Sequence, residues 1–255
     1  RDGVTGRAGA SGLRILQTVP VLVGGVGISF ILTRALPGDP AAYFAGVMAD
    51  ADSIAATREK LGLDKSLIEQ FLIYGGDLLR GDLGMSVNTG RPVLTDLAER
   101  LPASLELTLS ALFLSCLIAV PIGVWAAVRQ GSWIDHLCRL LVTAGVSLPT
   151  FFTGVLLIYI FYYLLGWAPS PLGRLDFIYL PPPHVTGFYL IDSLLAGDRE
   201  TFFATLRQLA LPAATLALFT LAPIARMTRA AMLTALSSDY VRTARAAGLR
   251  PATVL

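Results

Sequence analysis

Charged residues, cysteine and histidine are all scarce in this sequence. Only 15% of its 255 residues are charged and 54% are hydrophobic, whereas a soluble domain usually carries about 25% charge. Two cysteines are too few for a disulfide framework, and Cys116 and Cys138 lie in or beside apolar blocks, where buried small residues are expected. The two histidines have no Cys, Asp or Glu at ligand spacing, so no metal site is predicted. This composition excludes a secreted disulfide scaffold, a nucleic-acid-binding module and an ordinary cytosolic enzyme.

The common motifs of enzymes are also missing. The sequence has no GxxxxGK[ST] phosphate loop, so it is not predicted to hydrolyse ATP by that route. It has no HExxH, no GxSxG and no pair of aspartates in neighbouring apolar blocks, which argues against the common intramembrane proteases. We therefore predict no catalytic residues and no cofactor-binding residues in this chain.

What the sequence does contain is four long apolar blocks. Each is long enough to cross about 30 Å of hydrocarbon, and in lipid a single segment satisfies its own backbone only as a helix. The first block exceeds the usual 7–15 residues of a signal-peptide core, so it is expected to be retained. The predicted fold class is an all-α, polytopic transmembrane bundle, with spans at residues 13–36, 105–128, 140–165 and 207–228.

The placement of charge predicts the orientation of these spans. Residues 1–14, 129–139 and 226–250 hold ten basic and three acidic residues, whereas residues 34–100 and 166–205 hold nine basic and fourteen acidic ones. Because basic residues are enriched in cytoplasmic segments, the N-terminus is predicted to be cytoplasmic. The cytoplasmic segments are then 1–12, 129–139 and 229–255, and the external ones are 37–104 and 166–206.

The first external segment is predicted to contain three short helices. Ser53 caps the first, which ends at Gly62, Ser66 caps the second, and the third runs from Pro92 to near Arg100. The second carries an apolar stripe that either lies at the membrane interface or packs on the outer ends of the spans, and we favour packing. The stripe comprises Leu67, Ile68, Phe71, Leu72, Leu78 and Leu79.

Charge is nearly absent inside the predicted spans. Only Glu106 enters one, a single residue from its outer end, where snorkelling or water access lowers the free-energy cost of a carboxylate. A carrier coupled to protons or ions would need more buried charge, so this class is disfavoured.

The cytoplasmic tail holds the most informative segment. Ser238 or Asp239 can cap a short helix, and Gly248 can end it in the left-handed conformation. Arg242 and Arg245 would then lie on one side of this helix. The spacing alone fits docking to a partner surface and binding to anionic lipid equally well.

This segment resembles the cytoplasmic EAA loop of permease subunits in binding-protein-dependent ABC importers, whose pattern is E-A-A-x-x-x-G. Arg242, Thr243 and Ala244 occupy the three leading positions before Gly248. The dipeptide/oligopeptide/nickel branch has a loop similar to D-Y-V-R-T-A-R-A-K-G-L, and this sequence departs from it at Ala247, where that branch mostly has lysine.

Six further segments, in the family's order, extend the resemblance over nearly the whole chain. The long external segment after the first span resembles the first of the two permease subunits of such systems. The family has six spans, so the chain is expected to be a fragment that stops inside the loop before spans five and six. The matching segments are LPGDP (36–40), LGLD (61–64), GDLG (81–84), LPASLELT (101–108), SLPTFF (147–152) and ARMTR (225–229).

The resemblance implies a type I importer permease in the bacterial or archaeal inner membrane. Such a chain pairs with a paralogous permease in the lipid bilayer, receives substrate from an external binding protein, and couples to two ATPase subunits that bind the ATP. Ala244 and Gly248 would allow close approach of the ATPase, and Arg242 and Arg245 would make charge contacts. The coupling residues implied are Tyr240, Arg242, Thr243, Ala244, Arg245, Ala247, Gly248 and Leu249.

Several functions remain open from the sequence. Peptide is the favoured substrate, with nickel, glutathione and oligosaccharides as alternatives within the same branch. A membrane scaffold that binds a cytoplasmic partner without transport is the alternative from another class. ATP-dependent coupling to a co-purifying ATPase would separate the two.

Overall fold

The computed structural model describes residues 5–35, 39–46, 49–86, 88–133, 135–136, 140 and 148–250. The described chain is helical and has no β-strand, only an isolated bridge between Met85 and Pro92, so the all-α class is confirmed. Predicted features outside the described residues are Leu36–Gly38 of the LPGDP segment, Cys138, residues 141–147 of the third block, and both chain ends. The helices are α1 (Thr5–Ala35), α2 (Pro40–Ala45), α3 (Ala51–Lys60), α4 (Leu67–Leu79), α5 (Val93–Val128), α6 (Thr150–Leu157, continued by a π-helical segment Ile158–Leu164), α7 (Tyr189–Leu195), α8 (Arg199–Leu236) and α9 (Asp239–Ala246).

Two of the described helices, α5 and α8, are long and apolar enough to cross a membrane. The apolar segments Gln17–Leu32 of α1 and Thr150–Leu164 of α6 are shorter. These two segments lie in the predicted first and third spans, so every predicted span contains an apolar helix. The limits of each span in the bilayer stay predictions.

Helix α5 begins earlier than the sequence indicated. The predicted helix ending near Arg100 is wrong, because the chain continues as one helix from Val93 to Val128. Pro102 lies inside this helix and removes one N–H donor, which membrane helices tolerate when neighbouring groups compensate. Its ring packs against Gly187, where an added Cβ would lie 2.8 Å from Pro102 Cγ.

Helix α8 is also longer than predicted at both ends. It starts at Arg199 because Asp198 caps it, accepting hydrogen bonds from the Thr201 N–H at 3.0 Å and the Thr201 hydroxyl at 2.6 Å. The hydroxyl bond is the main cause that lowers the pKa of Asp198 below its ordinary value. Residues 229–236 are helical, so the predicted cytoplasmic tail begins as an extension of the fourth helix.

The short helices before α5 follow local capping rules. Ser66 caps α4 as predicted, in a reciprocal capping box with Glu69. Gly62 follows α3 with a left-handed φ of 64°. The N-cap of α3 was misplaced by three residues, since the Asp50 carboxylate accepts the Ser53 N–H at 3.0 Å.

The residues up to Ala98 form one compact unit, in which α4 packs on α1. Phe30 of α1 is buried and meets Phe71 edge to face, with ring centroids 5.4 Å apart. Tyr74, one turn further along α4, has its ring 5.9 Å from that of Phe30. The contact of Phe71 agrees with the favoured interpretation, in which the apolar stripe packs on the outer end of a span. Other stripe residues stay exposed, namely Leu67, Ile68, Leu72 and Leu79.

The residues from Glu99 onward form the second compact unit. The buried positions of α5 and α8 are mostly alanine, serine and glycine, as is usual where membrane helices approach closely. On α5 they recur about every four residues and so share one face. They are Ala111, Ser115, Ala119, Gly123, Ala126 and Ala127 on α5, and Ala213, Ala217, Ala222 and Ala225 on α8.

Candidate functional site

The predicted coupling segment forms helix α9, which is separated from α8 by two residues. Val241 is 4% exposed and holds the helix against the rest of the unit. Tyr240 is 69% exposed, and the side chains of Arg242, Thr243 and Arg245 also face outward. A partner could therefore contact most of this helix without any rearrangement of the chain.

A Schellman motif ends α9 at the predicted glycine. Gly248 has a φ of 78°, as the sequence indicated. Its N–H donates to the Arg245 carbonyl at 3.0 Å, and the Leu249 N–H donates to the Ala244 carbonyl at 3.2 Å. These are the two bonds of the motif, and they satisfy carbonyls that a helix end otherwise leaves unpaired. The glycine thus fixes where the helix stops and how the chain leaves it.

The start of α9 lacks the side-chain capping hydrogen bond that the sequence predicted. Ser238 occupies the N-cap position, but its hydroxyl donates to the Ala235 carbonyl at 2.5 Å. Asp239 lies in the first turn, where its charge is favourable toward the helix dipole. An exposed ion pair joins it to Arg242 at 3.3 Å, and such pairs contribute little stability. Arg242 is therefore held only loosely.

A buried carboxylate forms an ion pair with Arg229, seven residues before the C-terminal end of α8. Asp135 is 0% exposed. Its Oδ1 accepts a hydrogen bond from Arg229 Nε at 2.8 Å, and its Oδ2 accepts one from Arg229 Nη2 at 2.9 Å. The Gly131 N–H also donates to Asp135 Oδ2, at 3.2 Å. The chain that follows α5 is therefore joined to α8 by a two-point contact.

Helices α5 and α8 approach each other next to this pair, at Gly123. A Cβ added to Gly123 would lie 2.7 Å from the Ala225 carbonyl oxygen and 2.8 Å from Thr228 Cβ. Any side chain at this position would therefore force the α8 backbone away. Glycine is required here for the close approach itself.

Glu106 lies toward the opposite end of α5. The sequence predicted a carboxylate that snorkels or contacts water, but the structure shows a buried carboxylate with hydrogen-bond partners. The side chain is 5% exposed. Its Oε2 accepts a hydrogen bond from Arg174 Nη2 at 2.7 Å, and its Oε1 accepts the Leu190 N–H at 2.7 Å. Arg174 also donates to the Gly187 carbonyl and stacks on the Tyr189 ring at 3.7 Å. This cluster ties the segment between α6 and α8 to α5.

Asp192 organises the same segment from within. Its buried carboxylate accepts hydrogen bonds from the N–H groups of Val185, Thr186 and Gly187 and from the Thr186 hydroxyl. Burial acts to raise the pKa of Asp192, but these hydrogen bonds, led by that of the Thr186 side chain, outweigh it and hold the pKa below its ordinary value. Asp192 is therefore ionised at neutral pH, and it holds the turn before α7.

A mostly apolar cavity of about 450 Å³ opens between α5, α6 and α8 on this side of the unit. Leu107, Phe151 and Leu211 contribute apolar walls, and Gln208 and Thr215 are among its polar residues. No group of three His, Cys, Asp or Glu that could hold a metal ion occurs among the described residues.

Asp135, Arg174 and Arg229 lie outside the predicted spans, where hydropathy and charge counts do not reveal that they pair. A weak signal was available for one pair: a carboxylate just inside a span, as at Glu106, needs a partner if it is buried. Asp135 gave no such signal, because it lies outside the apolar blocks.

Comparison with known proteins identifies the family. A model of the inner membrane component of binding-protein-dependent transport systems matches residues 119–255. A second model, of the N-terminal part of such membrane components, matches residues 13–108. The first match alone covers more than half of the chain.

Similar proteins of known name are transport permeases. The chain is 48% identical to the "Probable D,D-dipeptide transport system permease protein" of Escherichia coli, over 91% of this chain and 68% of that one. It is 43% identical to a di/tripeptide transport system permease protein of Pseudomonas aeruginosa, over 95% and 72% of the two chains. It is 37% identical to a dipeptide transport system permease protein of Alkalihalophilus pseudofirmus, over 92% and 70%.

The chain belongs to the family of inner membrane components of binding-protein-dependent transport systems. It is a helical membrane permease subunit and not an enzyme. Members of this family work with a substrate-binding protein and an ATPase, so the class inferred from the tail and the six matching segments is confirmed.

Proposed function

We propose that this chain is the permease subunit of an ATP-driven importer of dipeptides and oligopeptides. The relatives named above for dipeptide or di/tripeptide transport support this substrate class. The chain would form half of the translocation pathway, together with a paralogous permease. An external binding protein would deliver the peptide, and two ATPase subunits would bind the ATP.

The observation that carries the coupling mechanism is the exposed α9 helix. Its Tyr240, Arg242 and Arg245 side chains face outward, and the Schellman motif at Gly248 sets its end. A groove on an ATPase subunit would take this helix. When the two ATPase subunits close on ATP, both coupling helices move, and the spans switch between inward and outward openings. ATP thus biases a two-state element to which it does not itself bind.

Uptake by cells tests the substrate class. The complete permease should be expressed with its partner subunits in cells that lack peptide importers of their own. Labelled dipeptide should accumulate saturably, and unlabelled dipeptide should compete while nickel and glutathione should not. The same cells depleted of ATP serve as the control. Uptake of nickel or glutathione instead of dipeptide would show that the proposed substrate class is wrong. Co-purification of the ATPase without any uptake would favour a membrane scaffold.

We also propose that the N-terminus and α9 are cytoplasmic, as the charge distribution predicts. Single cysteines at exposed positions test this after Cys116 and Cys138 have been replaced by serine. Cysteines at Lys65 and Ile178 should react with a membrane-impermeant maleimide on intact cells, and one at Gln130 should react only after permeabilisation. Reaction of the Gln130 variant on intact cells would contradict the proposed orientation.

A further inference from the structure

The Asp135–Arg229 pair lies where the coupling helix joins the membrane helices. Arg229 is seven residues before the end of α8, about 11 Å along the axis at 1.5 Å per residue. Helix α9 begins only three residues after α8 ends. A displacement of α9 therefore reaches Arg229 through a two-residue link and about two turns of helix.

Among the described residues, two contacts join α8 to α5 and to the segment after α5 at this level. One is the close approach of Ala225 and Thr228 to Gly123 of α5. The other is the ion pair, which reaches Asp135 on the chain beyond α5. Arg226, one turn before Arg229 on the same helix, is exposed and contributes to neither contact.

The chemistry of the Asp135–Arg229 pair fits a role in positioning α8 better than a role in stabilising the fold. Taking a carboxylate out of water is costly even when it is paired, so an apolar pair of similar volume usually stabilises a fold at least as well. A guanidinium that binds both carboxylate oxygens fixes distance and orientation together, which an apolar contact does not. A joint that has to transmit a movement needs such a defined geometry.

We propose that Asp135 and Arg229 are positioning residues that transmit the movement of α9 to the membrane helices. The pair makes α8 and the segment after α5 move as one body when the ATPase subunits displace α9. This inference rests on the proposed function, because it assumes that ATPase subunits act on α9. It adds to that function a transmission point outside the coupling segment.

Substituting Arg229→Lys in the complete complex tests the proposal. Lysine keeps the positive charge but loses the two-point fork. We expect normal membrane levels and normal retention of the ATPase subunits, with peptide uptake per ATP hydrolysed reduced by at least about fivefold, the lower end of typical coupling effects. Arg226→Lys is the matched control, and it should leave this ratio unchanged.

A double substitution keeps the test decisive if Arg229→Lys fails to accumulate. Asp135→Leu combined with Arg229→Met removes both charges and leaves none buried without a partner, so the protein should reach the membrane. ATP hydrolysis should then continue with little peptide uptake. A normal ratio of uptake to hydrolysis in either variant would overturn the proposal.

These outcomes are separate from a failure of the proposed function. If the chain were not an ATP-driven peptide permease, the unmodified complex would show no ATP-dependent dipeptide uptake. If only the positioning role were wrong, the unmodified complex would transport normally and so would both variants.

Discussion

Substituting Gly248→Val in the complete permease should nearly abolish ATPase association and peptide uptake while membrane levels stay near normal. Gly248 has a φ of 78°, and a β-branched residue there costs strain of about 1–3 kcal/mol. The strain would open the Schellman motif and change the end of α9. Because α9 contributes only Val241 to the buried core, insertion of the membrane helices should not depend on it. ATPase pull-down and uptake of labelled dipeptide measure the effect.

The choice of replacement separates backbone strain from steric conflict. A Cβ at Gly248 would meet no described atom within 4 Å, so the side chain itself has room. Asparagine adopts the left-handed conformation more readily than other residues, so Gly248→Asn should be close to normal, with Gly248→Ala between it and Gly248→Val. If α9 bound lipid instead, all three variants would keep their arginines and transport normally. Normal uptake by the valine variant would therefore refute the coupling role of α9.

Substituting Gly123→Ala should destabilise the protein by overpacking, by about 1–3 kcal/mol. The new methyl group would lie 2.7 Å from the Ala225 carbonyl oxygen, and a backbone atom cannot move aside alone. Helices α5 and α8 would have to separate, which would also strain the neighbouring Asp135–Arg229 pair. Thermal unfolding of the detergent-purified complex, together with its level in the membrane, measures the loss.

Gly27→Ala is the matched control for that substitution. Gly27 also lies in an apolar helix, but a Cβ there would meet no described atom within 4 Å. Alanine favours a helix by about 1 kcal/mol over glycine in helix interiors, so the control should be neutral or slightly stabilising. Equal losses from both substitutions would show that close packing at Gly123 is not the cause.

Features that depend on residues close in sequence were predictable. The apolar blocks indicated helices because a lone segment in lipid has no other way to pair its backbone groups. Ser66 and Glu69 form the capping box their spacing favours, and Gly248 has the left-handed φ that its place after α9 suggested. The wrong N-cap predicted for α3 shows the limit of such rules. Asp50 and Ser53 are both good capping residues, and only one of them can occupy the N-cap position of the helix.

Helix continuity was less predictable, because it depends on neighbours outside the helix. A helix ending near Arg100 and a span beginning at residue 105 were predicted, yet one helix continues through Pro102, whose ring packs against Gly187. Helix α8 likewise continues past the predicted end of the fourth span to Leu236. Arg226 marked the end of the uncharged block, although a helix can continue beyond its membrane-spanning part.

The sequence by itself determined the class of this protein: apolar helices, an orientation bias in charge, and a tail segment whose pattern matches its family. Only the tertiary structure decided which charges pair. Glu106 meets Arg174 across 68 residues, and Asp135 meets Arg229 across 94. Hydropathy and charge counts carry no information about such distant partners, because they score each residue where it stands in the chain. The pairing follows from how closely the helices can approach, which small residues such as Gly123 permit.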